Sequence, residues 1–175
     1  MKQGIKELQK LKGVGEILSR RLVAAGYDTF AKIVAAGEEG LKNVQGVNPR
    51  LFRSILTQAG ELADEVEKGR AKMAAELKQR SSALKEQVLG IAHSVRDRFQ
   101  EQAAGKAGKK TEKEILKVIA SLEKVEEKMG TRVKKAGKGL VKAEKRLEGL
   151  ADAGLKEVGK GLKKARRSLR KVFAK

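Results

Sequence analysis

The sequence predicts an all-α protein: a small five-helix head whose last helix extends into a long helical stalk that folds back as an antiparallel helical hairpin. Three observations predict it. The 175 residues hold one proline, no tryptophan, no cysteine and 36% charged side chains, many in Ala/Glu/Lys/Leu/Arg-rich runs, which is the composition of long helices. A leucine pattern around a glycine-bearing bend occurs twice within the first 60 residues. From Leu51 onwards, apolar residues recur every eleven positions, three helical turns at ~3.67 residues per turn.

The head follows from local backbone chemistry. Residues 3 to 11 read as a first helix and Glu16 to Ala25 as a second, stopped by Gly26 just past its end. Asp28 or Thr29 can cap a third helix through Ala36, which Gly37 ends in the same manner. A short fourth helix runs from about Glu39 to Val44, and Pro49 opens the fifth, where a missing N–H costs nothing. Leu8, Leu11, Val14, Leu18, Leu22, Phe30, Ile33, Val34, Leu41, Val44, Val47, Leu51 and Ile55 form the expected core.

The two bends share one frame. Leu8, Leu11, Gly13, Val14, Leu18 and Leu22 return 33 residues later as Leu41, Val44, Gly46, Val47, Leu51 and Ile55. Glycine at such a bend lets the backbone take positive φ and approach a ligand, while the following helix aims its unpaired amides at the same place, a setting that suits an anion. This doubled frame resembles the helix-hairpin-helix family in its tandem form, over about residues 1 to 60. The resemblance implies duplex DNA held by hairpin backbone amides on its phosphates across a minor groove, without base reading. It implies Gly13, Val14 and Gly15 as contacts in the first hairpin and Gly46 and Val47 in the second. Asn48 stands where the pattern has a second glycine, and Ser19 and Phe52 where it has a small alanine; the first hairpin is the closer match. Lys12, Arg20 and Arg21 would flank a phosphate at the first bend, and Asn48, Arg50 and Arg53 line the second, with Lys42 before it.

Beyond the head the apolar rows run without a change of phase. Leu51, Leu62, Met73, Leu84 and Val95 form one row, and Ile55, Val66, Leu77, Val88 and Phe99 another, so one helix is expected from Pro49 to Gln102. At 1.5 Å per residue it would be roughly 80 Å long. Residues 103–110, with two glycines and no large apolar side chain, read as a linker. Thr111 and Glu114 then have capping-box spacing, and a basic amphipathic helix over 111–173 follows, with rows through Val118, Met129, Leu140, Ala151, Leu162 and Phe173 and through Val125, Ala136, Leu147, Val158 and Leu169. Its seven glycines mark Gly130-Thr131 and Gly137-Lys138-Gly139 as places for a kink, or for close helix contact.

The net charge of +19 is concentrated: +5 over residues 1–60, zero over 61–105 and +14 over 106–175. Such a block implies a polyanionic partner. Lys163, Lys164, Arg166, Arg167, Arg170 and Lys171 belong to an acid-free tail whose pattern suits a nucleic-acid backbone or an anionic membrane surface, and the head favours duplex DNA, ahead of RNA. Catalysis has little to work with. The single histidine, His93, reads as a surface or boundary residue, and the acids of Glu61 to Glu67 as a solvated helix face. No enzyme, cofactor or metal site is expected. No stretch approaches the ~20 apolar residues of a membrane span and the first residues lack a signal-peptide core, so a cytoplasmic or nucleoid-associated protein is expected.

The leading expectation is therefore sequence-tolerant DNA binding of architectural type. The alternatives are a self-assembling helical bundle or filament with the head as a protein–protein module, and an amphipathic coat on an anionic membrane or polymer surface.

Overall fold

The computed structural model describes residues 2–100 and 105–174, and every regular element among them is helical. In order they are α1 (Lys2–Leu8), α2 (Glu16–Ala24), α3 (Phe30–Lys42), a 3-10 turn (Pro49–Leu51), α4 (Phe52–Arg98), α5 (Lys106–Leu147) and α6 (Leu155–Arg170). The chain divides into two compact units, Met1–Gly69 and Arg70–Lys175. Helix α4 contributes residues to both.

Within the first unit the glycine stops act as expected. Gly26 takes φ +93° after α2, and Gly37 takes φ +62° inside α3, separating residues 30–36 from 38–42. Thr29 caps α3, its side chain accepting from Lys32 N–H (3.3 Å). The expected core is buried except at Leu18 and Leu51, which are half-buried, and Val34, which is 44% exposed. Phe52 and Ala59 from the start of α4 join it instead. Phe52 thus occupies core volume, and Ser19 is buried with its hydroxyl donating to Glu16 O (2.9 Å). A small alanine is unnecessary at either place because the ring has a pocket and the hydroxyl has an acceptor.

The second unit departs from the two-helix hairpin. Helix α5 begins at Lys106 with Gly105 as N-cap, so Lys106–Lys110 is helix rather than linker; Gln102, the expected end of the preceding helix, and the first two linker residues lie outside the described residues. Thr111 is not a cap. Its hydroxyl donates to Ala107 O one turn back, and Glu114 is buried beside Lys117 (3.3 Å) and Arg166 (3.5 Å). Packing overrides the local cap signal here, since Gly108, Thr111 and Ile115 all face the interior.

Nor is 111–173 one helix. Residues 148–154 form a turn with Gly149 at φ +71°, and Arg132 leaves helical geometry at φ −127°, ψ 37°, beside the kink expected at Gly130-Thr131. The bend at Arg132 is a reversal. Gly159 lies against Thr111 and Gly161 against Leu150, so two places 21 residues before and 18 residues after Arg132 meet the same turn of α6. A straight helix would separate Thr111 and Leu150 by about 58 Å.

Four helical segments result: the end of α4, residues 106–131, residues 133–147 and α6. Along α4, Lys85 pairs with Glu126 (2.9 Å), while His93 to Arg96 share a cleft with Gly108 to Ile115, so the first arm of α5 runs antiparallel to it. Leu77 against Gly137 and Arg80 paired with Glu144 give the second arm the opposite direction. This is an up-down-up-down bundle in which the rows of α5 and α6 and the later part of the α4 rows cover one another, whereas Val66 and Met73 of the α4 rows stay exposed. Leu84, Val88, Ile91, Val118, Leu122, Leu140, Val158, Leu162 and Leu169 share one core. Gly139 and Gly161 serve the close contacts, since a side chain at either would collide with Val172 or Leu150. The corner is tied to the end of the chain: Arg132 Nη1 donates to Val172 O (2.8 Å) and Ala174 O (3.2 Å), and Lys135 Nζ to Ala174 O (3.2 Å).

Truncating Leu140, which is fully buried, to alanine should destabilise the second unit by about 2–5 kcal/mol. Leu89→Ala, at a position 48% exposed, should change stability by less than about 0.5 kcal/mol. Denaturant titration followed by circular dichroism separates the two outcomes.

Candidate nucleic-acid interface

The duplicated sequence frame is a duplicated backbone. In the first bend Leu11 N–H donates to Leu8 O (3.1 Å) and Val14 N–H to Leu11 O (3.0 Å); in the second Val44 N–H donates to Leu41 O (3.1 Å) and Val47 N–H to Val44 O (3.4 Å). Gly13 and Gly46 both take φ +90°, which other residues adopt only with strain. The valines that follow are buried core residues. Their amides are consumed inside the bends, so Val14 and Val47 fix the hairpins and are not the donors that the resemblance implies.

The two bends differ in what covers them. At the first, Gly15 precedes α2 in extended conformation, and no side-chain cap among the described residues reaches the helix's first turn. The positive end of the helix dipole and its leading amides therefore face solvent beside exposed Lys12, Gly13 and Gly15. Lys12 N–H is turned the other way, donating to Gln58 Oε1 (2.9 Å) and fastening the bend to α4, while its ammonium stays free for a ligand. At the second bend Asn48 Oδ1 accepts from Arg50 N–H (3.0 Å), and Pro49 has no N–H to offer. Asn48 thereby caps the 3-10 turn with its own oxygen.

Arg21 is displaced from its expected role. It leaves the first hairpin and lies over the second, where Nη1 donates to Gln45 O (2.8 Å) and fills the space that a side chain at Gly46 would need. Arg20 stays near the first hairpin but pairs with Glu16 (2.6 Å), and both are exposed. Glu16, in the first turn of α2, is favoured there by the dipole and competes with any incoming anion. Arg50 and Arg53 are exposed.

The tail cations separate as well. Arg166, Arg167, Arg170 and Lys171 line an open trough of about 880 Å³ together with Lys117 and Lys124 from the first arm of α5. Lys163 and Lys164 do not line it. Arg166 is partly neutralised by Glu114. Sequence reading missed Lys117 and Lys124, because only the parallel packing of α6 on that arm brings them to the tail.

No group of three or more His, Asp or Glu side chains among the described residues could hold a metal ion, and none of the described helices is long and apolar enough to cross a membrane. Two successive helix-bend-helix units on one repeated frame define the first unit as a tandem helix-hairpin-helix domain. Residues 5–61 match the family model described as the SAM-like helix-hairpin-helix tandem, and the rest of the chain matches no family model. No curated protein and no solved structure matches the chain. A domain of this class is a module for binding nucleic acid or another protein.

Gly13→Ala should cost about 1–2 kcal/mol of stability because alanine must enter the left-handed region there. Gly15→Ala, at φ −81° with open space around it, should cost much less. Thermal denaturation of the two variants side by side tests which glycine the bend requires.

Proposed function

We propose that the chain binds duplex DNA without sequence preference, as a non-enzymatic, architectural protein, with the first hairpin as its principal phosphate grip. The observation that carries this reading is the uncapped start of α2 at Gly15, set beside Lys12 on a bend whose glycine lets backbone come close. Backbone amides and lysine recognise phosphate and carry no base information. The second hairpin, covered by Asn48 and Arg21, serves mainly to support the fold of the head and offers Arg50 and Arg53 at its rim.

The membrane-coat alternative is less favoured, because Leu162, Leu169 and Val172, the tail residues that would enter a lipid surface, are buried in the bundle. The filament alternative loses support on the same ground: most of the apolar rows of α5 and α6 are already covered.

Fluorescence anisotropy with duplexes of unrelated sequence should give affinities equal within a few-fold that fall steeply with salt. Lys12→Gln should weaken binding to all of them by roughly threefold to tenfold and lower the salt slope by about one. Glu16→Gln should tighten it by a similar factor, since it releases Arg20 and removes a competing carboxylate. Binding that is independent of salt, or confined to one sequence, contradicts the proposal.

A further inference from the structure

We infer that the trough between the first arm of α5 and helix α6 is a second binding site, for the sugar-phosphate backbone of single-stranded nucleic acid, separate from the duplex contact of the head. Its choice of nucleic acid over other polyanions rests on the reading of the head given above.

The trough has two cationic walls. Lys117 and Lys124 stand two turns apart on α5, about 10 Å along the axis, and Arg166, Arg167, Arg170 and Lys171 occupy two successive turns of α6. No acidic residue lines it, although Glu114 sits behind Arg166. Ala120, Ser121, Ala174 and the half-buried Phe173 complete the lining. A cationic groove that follows a backbone, with an aromatic ring for bases to stack on, is how proteins hold single strands without reading sequence.

Size decides between one strand and two. The cavity of about 880 Å³ lies within the ~300–1,000 Å³ range of ordinary ligand pockets. Packed helices stand about 8–10 Å apart, whereas the major groove of B-DNA alone is about 12 Å wide, so a duplex cannot sink between the walls. A single strand can bend into it and expose its bases to Phe173. The groove cations are also less committed than those of the head. Arg167, Arg170, Lys124 and Lys171 are exposed, while Arg166 and Lys117 share the Glu114 carboxylate.

The test compares a labelled oligothymidylate of about a dozen nucleotides, within the ~4–16 nucleotides such grooves span, with a duplex of equal length. Both are titrated into the full chain. The triple variant Lys124→Gln, Arg167→Gln, Arg170→Gln should lose at least roughly tenfold in affinity for the oligothymidylate and about two units of salt slope, at ~0.7 per phosphate. Its duplex affinity should stay within a few-fold of the unmodified chain. A control variant with the same charge loss outside the trough, Lys109→Gln, Lys138→Gln, Lys156→Gln, should bind the single strand nearly as the unmodified chain does. Phe173→Leu keeps the charge and an apolar side chain, and should weaken the oligothymidylate alone. Circular dichroism melting checks that each variant is folded; should the triple variant not fold, Phe173→Leu against the control variant decides.

Equal losses in the groove and control variants would overturn the inference, as would equal losses for single strand and duplex, or unchanged oligothymidylate binding by the folded groove variant. Displacement of the oligothymidylate by tripolyphosphate in proportion to charge alone, with no effect of Phe173→Leu, would also overturn it in favour of a small-phosphate site. Failure of the hairpin reading would register elsewhere, as unchanged duplex binding by Lys12→Gln.

Discussion

The positive φ shared by Gly13 and Gly46 is the constraint on which the head depends. It reverses the chain between two short helices while turning the next residue inward, so Val14 and Val47 seal the core and consume their amides within the bend. The same geometry leaves the start of the next helix projecting outward. What then distinguishes the two copies is small. One copy has Gly15, which offers no oxygen of its own; the other has Asn48, whose side chain accepts from Arg50 N–H. A difference of one side chain separates an uncapped helix start from a self-capped one.

Charge and packing are distributed by a comparable economy in the second unit. The reversal at Arg132 brings a fourth helical segment into the second unit, and residues from all four segments share one core. Arg132 and Lys135 then hold the carbonyls of Val172 and Ala174 just past the end of α6, where a helix end welcomes cations. Locking α6 in this direction sets Arg167 and Arg170 opposite Lys117 and Lys124. Repulsion among six cations is tolerable because the trough is open to water and salt.

Much of the fold was legible because it is written in local backbone chemistry. Gly26 and Gly37 stop helices, Thr29 starts one, and Pro49 opens the turn into α4, each for reasons contained within a few residues. The two periodic rows over 111–173 named buried positions such as Val118, Val125, Leu140 and Leu162, but left out Ile115, Ala143 and Ala165, which are equally part of the interior. They hid the turn at 148–154, because Leu147 to Val158 and Leu140 to Ala151 to Leu162 keep the eleven-residue count straight across it. Gly149 and Gly154 around Asp152 were the available signal. Val34 was misassigned because helical spacing alone does not say how wide the buried face is. The site was less legible than the fold. That Arg21 would cross to Gln45, or that Thr111 would point into a helix rather than cap one, depends on contacts between segments distant in sequence or on burial that no local pattern records.

The claim that the uncapped start of α2 receives a phosphate can be met most directly by amide NMR spectra of the labelled chain titrated with a short duplex. The account predicts that the amides of Gly13, Gly15, Glu16 and Ile17 shift and saturate together, while those of Gly46 and Arg50 move little. Shifts confined to the second hairpin, or to residues 105–174 with the first hairpin unmoved, would contradict it.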